Sequence, residues 1–329
     1  MRSGMRQTPI PRFVWTIDCK PMLLSVVIVN WNSRDDLRLC LGSLRRQSHR
    51  EMEIIVVDNG SKDSSVEMMQ GDFPEVTVVE ARENLGFAEG CNRGIDASHG
   101  DWIAMLNNDT VADIHWAAAL VEAATRAPAT CGMLQSLLLF LAEPDVINST
   151  GLVLTRRASG YDRDGGQPKS RTPKAGEIFC PTAGAAAYRR AMLDAIKLPD
   201  GYFDRRHFMY LEDLDLGWRA RLAGFDGSFV PSSVVLHKHH GSSDRHGLSW
   251  LEVISRINRI RTLIKNGSFR FWIQSISMTA ADLIDIFRHG GFKALKTLAE
   301  AIPSSLKSRS VVNRMLKDSR PSVEKRWAS

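Results

Sequence analysis

The sequence predicts an α/β fold, a Rossmann-like, mostly parallel central sheet with helices on both faces. Three observations support it. Short β-branched apolar runs recur in the N-terminal third, helical segments separate them, and each of three runs ends in a cluster of Asn, Asp or Ser. Strands alternating with helices at such separations pair in parallel through right-handed crossovers. Ligands of such sheets lie beyond the carboxyl ends of the strands, so the three polar clusters are expected to meet at one crevice.

Leu23 to Val29 is a nearly continuous apolar run, the pattern of a strand buried on both faces, and it ends in Asn30-Trp31-Asn32. Ser33 then stands as an N-cap, with Leu37, Leu39, Leu41 and Leu44 marking a helix behind it. Ile54 to Val57 repeats the buried-strand pattern and closes in Asp58-Asn59-Gly60-Ser61, which is turn chemistry. Val76 to Glu80 reads as a short strand, Ala88 to Ser98 as a helix, and Trp102 to Leu106 as another strand, finishing in Asn107-Asn108-Asp109.

Farther along, Ser159 to Gly176 is rich in Gly, Pro and charge without periodicity, which predicts a long surface loop of the kind that covers or touches substrates. Ser233 to Leu236 is a further apolar run, followed by His237-Lys238-His239-His240; on a strand, His237 and His239 share a face and His240 does not. Beyond His246, Trp250, Ile254, Ile257, Ile260 and Ile264 recur at helical spacing with Arg256, Arg259 and Arg261 among them, and a second stripe follows from Trp272 to Phe287. The expected organisation is an N-terminal arm over 1–21, the α/β domain over 22–244 and a basic helical extension over 245–329.

Ordinary apolar and charged content excludes a disordered or fibrous chain. Five scattered cysteines carry neither metal-ligand nor redox spacing, which predicts reduced, cytosolic thiols. Pro9, Pro11, Asp18 and Pro21 interrupt any secretory core, and the longest apolar stretches fall short of the ~20 residues of a spanning helix. Residues 245–329 hold sixteen Lys and Arg against six Asp and Glu, so the net charge of +6 conceals a basic tail on an acidic remainder. That tail predicts peripheral attachment to an anionic membrane surface or, equally, a solvated basic face. Nucleic-acid binding is not expected, since no recognition module is present.

The residues that carry chemistry are acidic and amide-bearing. Tyr210-Leu211-Glu212-Asp213-Leu214-Asp215 places carboxylates on a turn entering a helix, where one can serve as a general base or simply favour the helix dipole. Asp58 can accept from a nucleotide base or close an Asx-turn. Asn107, Asn108 and Asp109 offer oxygen ligands for a hard divalent cation, but are also good turn material. The glycines of the segment 83–94 fit either a closely approaching diphosphate or helix packing, without a Walker or dinucleotide spacing. No HExxH, zinc spacing or glycine-flanked nucleophilic Ser occurs.

In this order, Val27 to Asn32, Val57 to Ser61, Asn84-Leu85-Gly86-Phe87, Leu106 to Asp109, Phe203-Asp204, Glu212 to Asp215 and His237 resemble the motifs of inverting family 2 glycosyltransferases of the GT-A fold. The closer resemblance is to the bacterial rhamnosyltransferase-like branch, over Leu24 to Ser243. It implies transfer of a hexose or deoxyhexose, L-rhamnose first, from a nucleotide diphosphate sugar to a cell-surface polysaccharide or lipid-linked glycan. It also implies a cytoplasmic protein, peripheral on the inner face of the cytoplasmic membrane.

By the same resemblance, Asn30, Trp31, Asn32, Asp58, Asn84, Asn92, Asn107 and Asn108 surround the donor nucleotide, and Asp109 and His237 help bind Mg2+ or Mn2+. Asp213 matches the catalytic base, with Glu212 orienting the acceptor or the base. Asn107 replaces the first acid of the family's metal triplet, and Arg205-Arg206-His207 is unusual after Phe203-Asp204, which suggests an anionic acceptor. Two alternatives stay open: a catalytically silent nucleotide-sugar sensor or scaffold, and a sugar nucleotidyltransferase, whose glycine-rich basic loop is missing from Val27 to Asp35.

Overall fold

The computed structural model describes residues 22–238 and 248–329; the arm over 1–21, His239 and His240 lie outside the described residues. The chain opens with β1 (Leu24–Asn30), α1 (Arg34–Arg45), β2 (Met52–Asp58), α2 (Ser65–Asp72), β3 (Thr77–Glu80), α3 (Phe87–Asp96) and β4 (Trp102–Leu106). It continues through β5 (Thr110–Ala112), α4 (Trp116–Arg126), β6 (Cys131–Phe140), β7 (Ile147–Ser149), β8 (Leu152–Leu154), β9 (Gly160–Asp162), β10 (Gly176–Glu177), β11 (Ala185–Arg189) and α5 (Arg190–Ala195). It ends with α6 (Glu212–Leu222), β12 (Asp226–His237), α7 (Leu248–Asn266), α8 (Phe269–Gln274), α9 (Ile276–Met315) and α10 (Arg320–Trp327).

The strands β3-β2-β1-β4 pair in parallel, matching the expected βαβ units. Next to β4 runs β11, antiparallel to both β4 and β6, and β6 then pairs in parallel with β12. The long strands are therefore mostly parallel with β11 reversed among them, and the short strands β5, β7 and β10 add antiparallel pairs to β12 and β6. Alternation along β1 sorts its side chains between two layers. Val26 and Ile28 pack with Leu37 and Leu41 of α1 and with Trp116 and Leu120 of α4. Val27 packs on the opposite face with Ala88, Cys91 and Ile95 of α3.

Helix α3 lies close on the sheet because Gly90 and Gly94 face β1. A Cβ on either would stand 2.6 Å from Val29 Cγ1 or 2.1 Å from Val27 Cγ1. Helix packing thus accounts for these two glycines of the glycine-rich segment.

The C-terminal helices are bonded into the α/β unit rather than merely appended to it. Ile257 and Ile260 of α7 pack against Ile286 and Leu298 of α9, which bends at Gly291. On the other side of α7, Lys265 is fully buried, paired with Asp204 and, at 3.0 Å, with Asp215 of α6. Asp215 also accepts from Arg219 Nε at 3.0 Å and from Asn266 Nδ2 at 2.9 Å. Burial opposes the charge on Asp215, and Lys265 and Arg219 overcome it, so its pKa stays below the usual carboxylate value. Arg206 pairs with Asp200 and Asp204, and His207 is buried against Thr262, so this unusual segment is occupied by structural partners.

Removing one member of a buried ionic cluster strands the others without compensation. Lys265→Met is expected to lower the free energy of unfolding by about 3–5 kcal/mol, read as a fall in the urea midpoint.

Candidate active site

The three strand-end clusters meet, and Asn30 is the joint. Fully buried at the end of β1, it donates to Asp58 Oδ1 at 3.2 Å and to Ser61 Oγ at 3.3 Å, and its Oδ1 accepts from Asn108 Nδ2 at 2.9 Å. Asp58 also accepts from Ser61 N at 2.9 Å, closing the turn behind β2. Asn32, at φ 50°, accepts from Lys62 N at 2.7 Å. The first two strand ends are thus locked by their own polar side chains.

Antiparallel pairing of β5 with β12 sets Thr110 opposite His237 and brings the third cluster to the end of β12. His237 Nε2 lies 3.2 Å from Asp109 Oδ1 and 3.3 Å from Asn107 Nδ2, and Nδ1 meets Asn148 Oδ1 at 2.7 Å. Nδ1 is engaged by Asn148, which fixes the ring and leaves Nε2 as the nitrogen that faces Asp109 and Asn107. Two such donor atoms 3.2 Å apart fit neighbouring corners of an octahedral shell with ligands at about 2.1 Å. Among the described residues, no group of three or more His, Cys, Asp or Glu side chains forms a complete cage. Asp109 and His237 therefore suit a cation that takes its remaining ligands from a phosphate-bearing substrate and water.

The carboxylates at the head of α6 are set by a strained turn. Phe208, Tyr210 and Leu211 all have positive φ (61°, 69° and 64°), a conformation that costs non-glycine residues energy. Asn258 of α7 compensates: its Nδ2 lies 2.8, 2.9 and 3.0 Å from the carbonyl oxygens of His207, Met209 and Tyr210. Phe208 is held edge-on against Trp250 of α7, with ring centroids 5.6 Å apart.

From this turn, Asp213 reaches the backbone of the segment before β11. Its Oδ2 accepts from Ala183 N at 3.2 Å, and its Oδ1 accepts from Leu214 N at 2.7 Å. Burial pushes its pKa up to about 6, with the charge of Asp162 adding to the rise and the two backbone N–H groups opposing it. Burial, then the charge of Asp213, drives Glu212 well above the usual value, and among the described residues Glu212 Oε2 has no hydrogen-bond partner.

These groups share a cavity of about 430 Å3. Trp31, Asn84, Asn107, Asn108, Asp109, Glu212, Asp213 and His237 line it. Asn30, Asn32, Asp58 and Asn92 are not on its wall; Asn92 is committed to Phe203, donating to its carbonyl at 3.0 Å and accepting from its N–H at 2.9 Å. The sequence reading missed Asp162, Asn148 and Tyr210 as wall residues. Asp162 sits in the stretch expected to be a loop, where the β8–β9 hairpin carries it inward; the only signal was the length of that stretch. No Lys or Arg is among the described lining residues, so a diphosphate here would meet neutral amide and hydroxyl donors, and its charge would be left to a bound cation.

With the geometry set out, comparison with known proteins identifies the class. Residues 25–196 match the family described as Glycosyl transferase family 2, and the chain belongs to that family. It is 28% identical over 262 residues to N-acetylglucosaminyl-diphospho-decaprenol L-rhamnosyltransferase of Mycobacterium tuberculosis, covering 70% of this chain and 80% of that protein. Among solved structures, GalNAc-T7 with UDP, GalNAc and Mn2+ aligns with a TM-score of 0.68 at 17% identity, over 94% of this chain and 57% of that one. TarS 1-349 of S. aureus aligns with a TM-score of 0.52 at 17% identity, over 89% and 87%. The fold is GT-A.

Gly86, at φ +83°, closes the cavity wall against Phe208: a Cβ there would stand 2.6 Å from the Phe208 ring and carbonyl oxygen. Gly86→Ala is expected to cost more than about 1 kcal/mol of unfolding free energy, whereas Gly71→Ala, in α2 with open space around it, should gain about 0.5–1 kcal/mol. Urea denaturation of the two variants checks the contrast.

Proposed function

We propose that this glycosyltransferase moves a hexose or deoxyhexose, with L-rhamnose the first candidate, from a nucleotide diphosphate sugar to a hydroxyl of a cell-surface polysaccharide or lipid-linked glycan, with inversion. The observation that carries the reading is the placement of Asp213 in the same cavity as the Asp109–His237 pair. The name of the mycobacterial relative supports the choice of sugar and of a lipid-linked acceptor.

In this reading, Asp213 takes the proton of the acceptor hydroxyl as its oxygen attacks the anomeric carbon, and the bond from that carbon to the diphosphate oxygen breaks on the opposite side. A pKa of about 6 leaves Asp213 mostly ionised at neutral pH yet basic enough to accept. Asp109 and His237, with Asn107 beside them, would hold Mg2+ or Mn2+, which would supply positive charge to the departing diphosphate. Trp31, Asn84 and Asn108 line the donor side, while Asn30, Asn32 and Asp58 fix the loops that present them. Glu212 orients the acceptor or the base.

A panel of nucleotide sugars with Mn2+ is expected to reveal one preferred donor; no donor binding and no turnover would overturn the reading. Asp213→Asn should lower kcat about 10²- to 10⁴-fold while nucleoside diphosphate affinity changes less than about twofold. For the wild type, kcat/KM should fall as pH drops below about 6, because the base must be unprotonated, and the pH–rate profile reads this directly.

In the same reading the enzyme works at the inner face of the cytoplasmic membrane. No helix among the described residues is long and apolar enough to cross a membrane. Instead, α8 and α9 leave Phe269, Ile273, Ile276, Leu283, Phe287 and Phe292 exposed, with exposed Arg270, Arg288, Lys293 and Lys296 nearby. Apolar side chains with flanking cations fit the headgroup boundary of an anionic bilayer. Full-length protein is expected to float with vesicles containing phosphatidylglycerol, less so at high salt, and not with phosphatidylcholine alone. Phe269→Glu with Phe292→Glu should abolish flotation while leaving donor binding intact; unchanged flotation would exclude this face.

A further inference from the structure

The mechanism above leaves one acidic wall residue without a task. Asp162, at the end of β9, lines the cavity, and its carboxylate lies close enough to His237 and Asp213 to interact electrostatically with both. The Ser149 hydroxyl is within hydrogen-bond reach, and burial holds its pKa above the usual value. Among the described residues no Lys or Arg pairs with it. A desolvated carboxylate without a cation is costly unless other donors reach it. The unpartnered Oε2 of Glu212, a residue 6% exposed, lines the same cavity and is a second polar atom awaiting a partner.

The identity of that partner follows by elimination. A phosphate would be repelled by Asp162. A metal shared with Asp109 and His237 is not supported, because no group of three such side chains among the described residues comes together to hold one ion. Sugar hydroxyl groups are the donors that the glycosyl-transfer reading supplies here, and a carboxylate accepts from them strongly. If the cation site holds the diphosphate and Asp213 receives the acceptor proton, the transferred sugar is the part of the substrates that spans the two. A residue adjoining both ends of that span adjoins the sugar ring.

We propose that Asp162 forms a hydroxyl-binding subsite for the ring of the donor sugar and sets which nucleotide sugar is accepted, with Glu212 offering Oε2 to the same ring while it orients the base. The subsite rests on the glycosyl-transfer reading above. It gives Asp162 a role in binding and specificity, while proton transfer stays with Asp213.

The test uses the full chain with Mn2+, the wild type beside Asp162→Asn, and UDP, dTDP, GDP and their sugar conjugates as probes. Asp162→Asn is expected to lower kcat/KM for the preferred donor about 10- to 100-fold and to flatten the ranking of donors, with affinity for the bare nucleoside diphosphate within about twofold. Wild-type protein assayed with donors lacking single ring hydroxyls supplies a readout independent of any variant's folding. At least one deoxy donor should lose about as much as Asp162→Asn does, and the loss should not deepen when the two changes are combined.

An active Asp162→Asn protein with wild-type donor ranking overturns the subsite alone, as does a wild type indifferent to every deoxy donor. A wild type that binds no nucleoside diphosphate and turns over no donor overturns glycosyl transfer, and the subsite with it.

Discussion

The geometry of the α6 turn depends on one buried contact, between α7 and the segment from Asp204 to Asp215. A single ammonium, Lys265, serves two carboxylates, and a single amide, Asn258, lies within reach of three carbonyl oxygens. Two N–H groups cannot each make a separate bond to three acceptors, so one hydrogen is shared. The turn they hold contains three positive-φ residues without glycine's freedom, and would relax if released. The position of Asp213 is therefore fixed by side chains some fifty residues away in sequence.

The first half of the fold was legible because its signals are local. Buried strands write short apolar runs, and β1, β2 and β4 fall where those runs stand. Convergence of their polar ends followed from topology alone, and Asn30 shows it directly by bridging Asp58 and Asn108. What stayed hidden depends on packing between distant elements. Arg259 and Lys265 look like the solvated face of an amphipathic helix, yet they are 2% and 0% exposed, because α7 is covered on two sides. Asp162 was unreadable for another reason. The register of β8 with β9 is set across a short hairpin in a stretch with no periodicity, and only the folded chain decides which of its residues turn inward.

The polar side chains of the site divide into those that shape it and those that face the cavity. Asn30, Asp58 and Asn92 spend their hydrogen-bonding capacity on backbone and neighbouring side chains, the usual fate of buried polar groups. Asp162, Glu212 and Asp213 cluster on the wall, where desolvation raises the pKa of each. Each charge there disfavours the next. A motif alone cannot distinguish the two groups, since amides and carboxylates serve both.

The Asn258 clamp also bears on how such enzymes can diversify. A C-terminal helical region joined to a GT-A unit looks exchangeable, a cassette that recombination could replace to reach a new acceptor. Here the cassette carries part of the scaffold for the α6 turn, and a foreign helix without an amide at that register would arrive with the turn unsupported. In this chain the outer faces of α8 and α9 are therefore free to change, while the inner face of α7 is tied to the domain it braces.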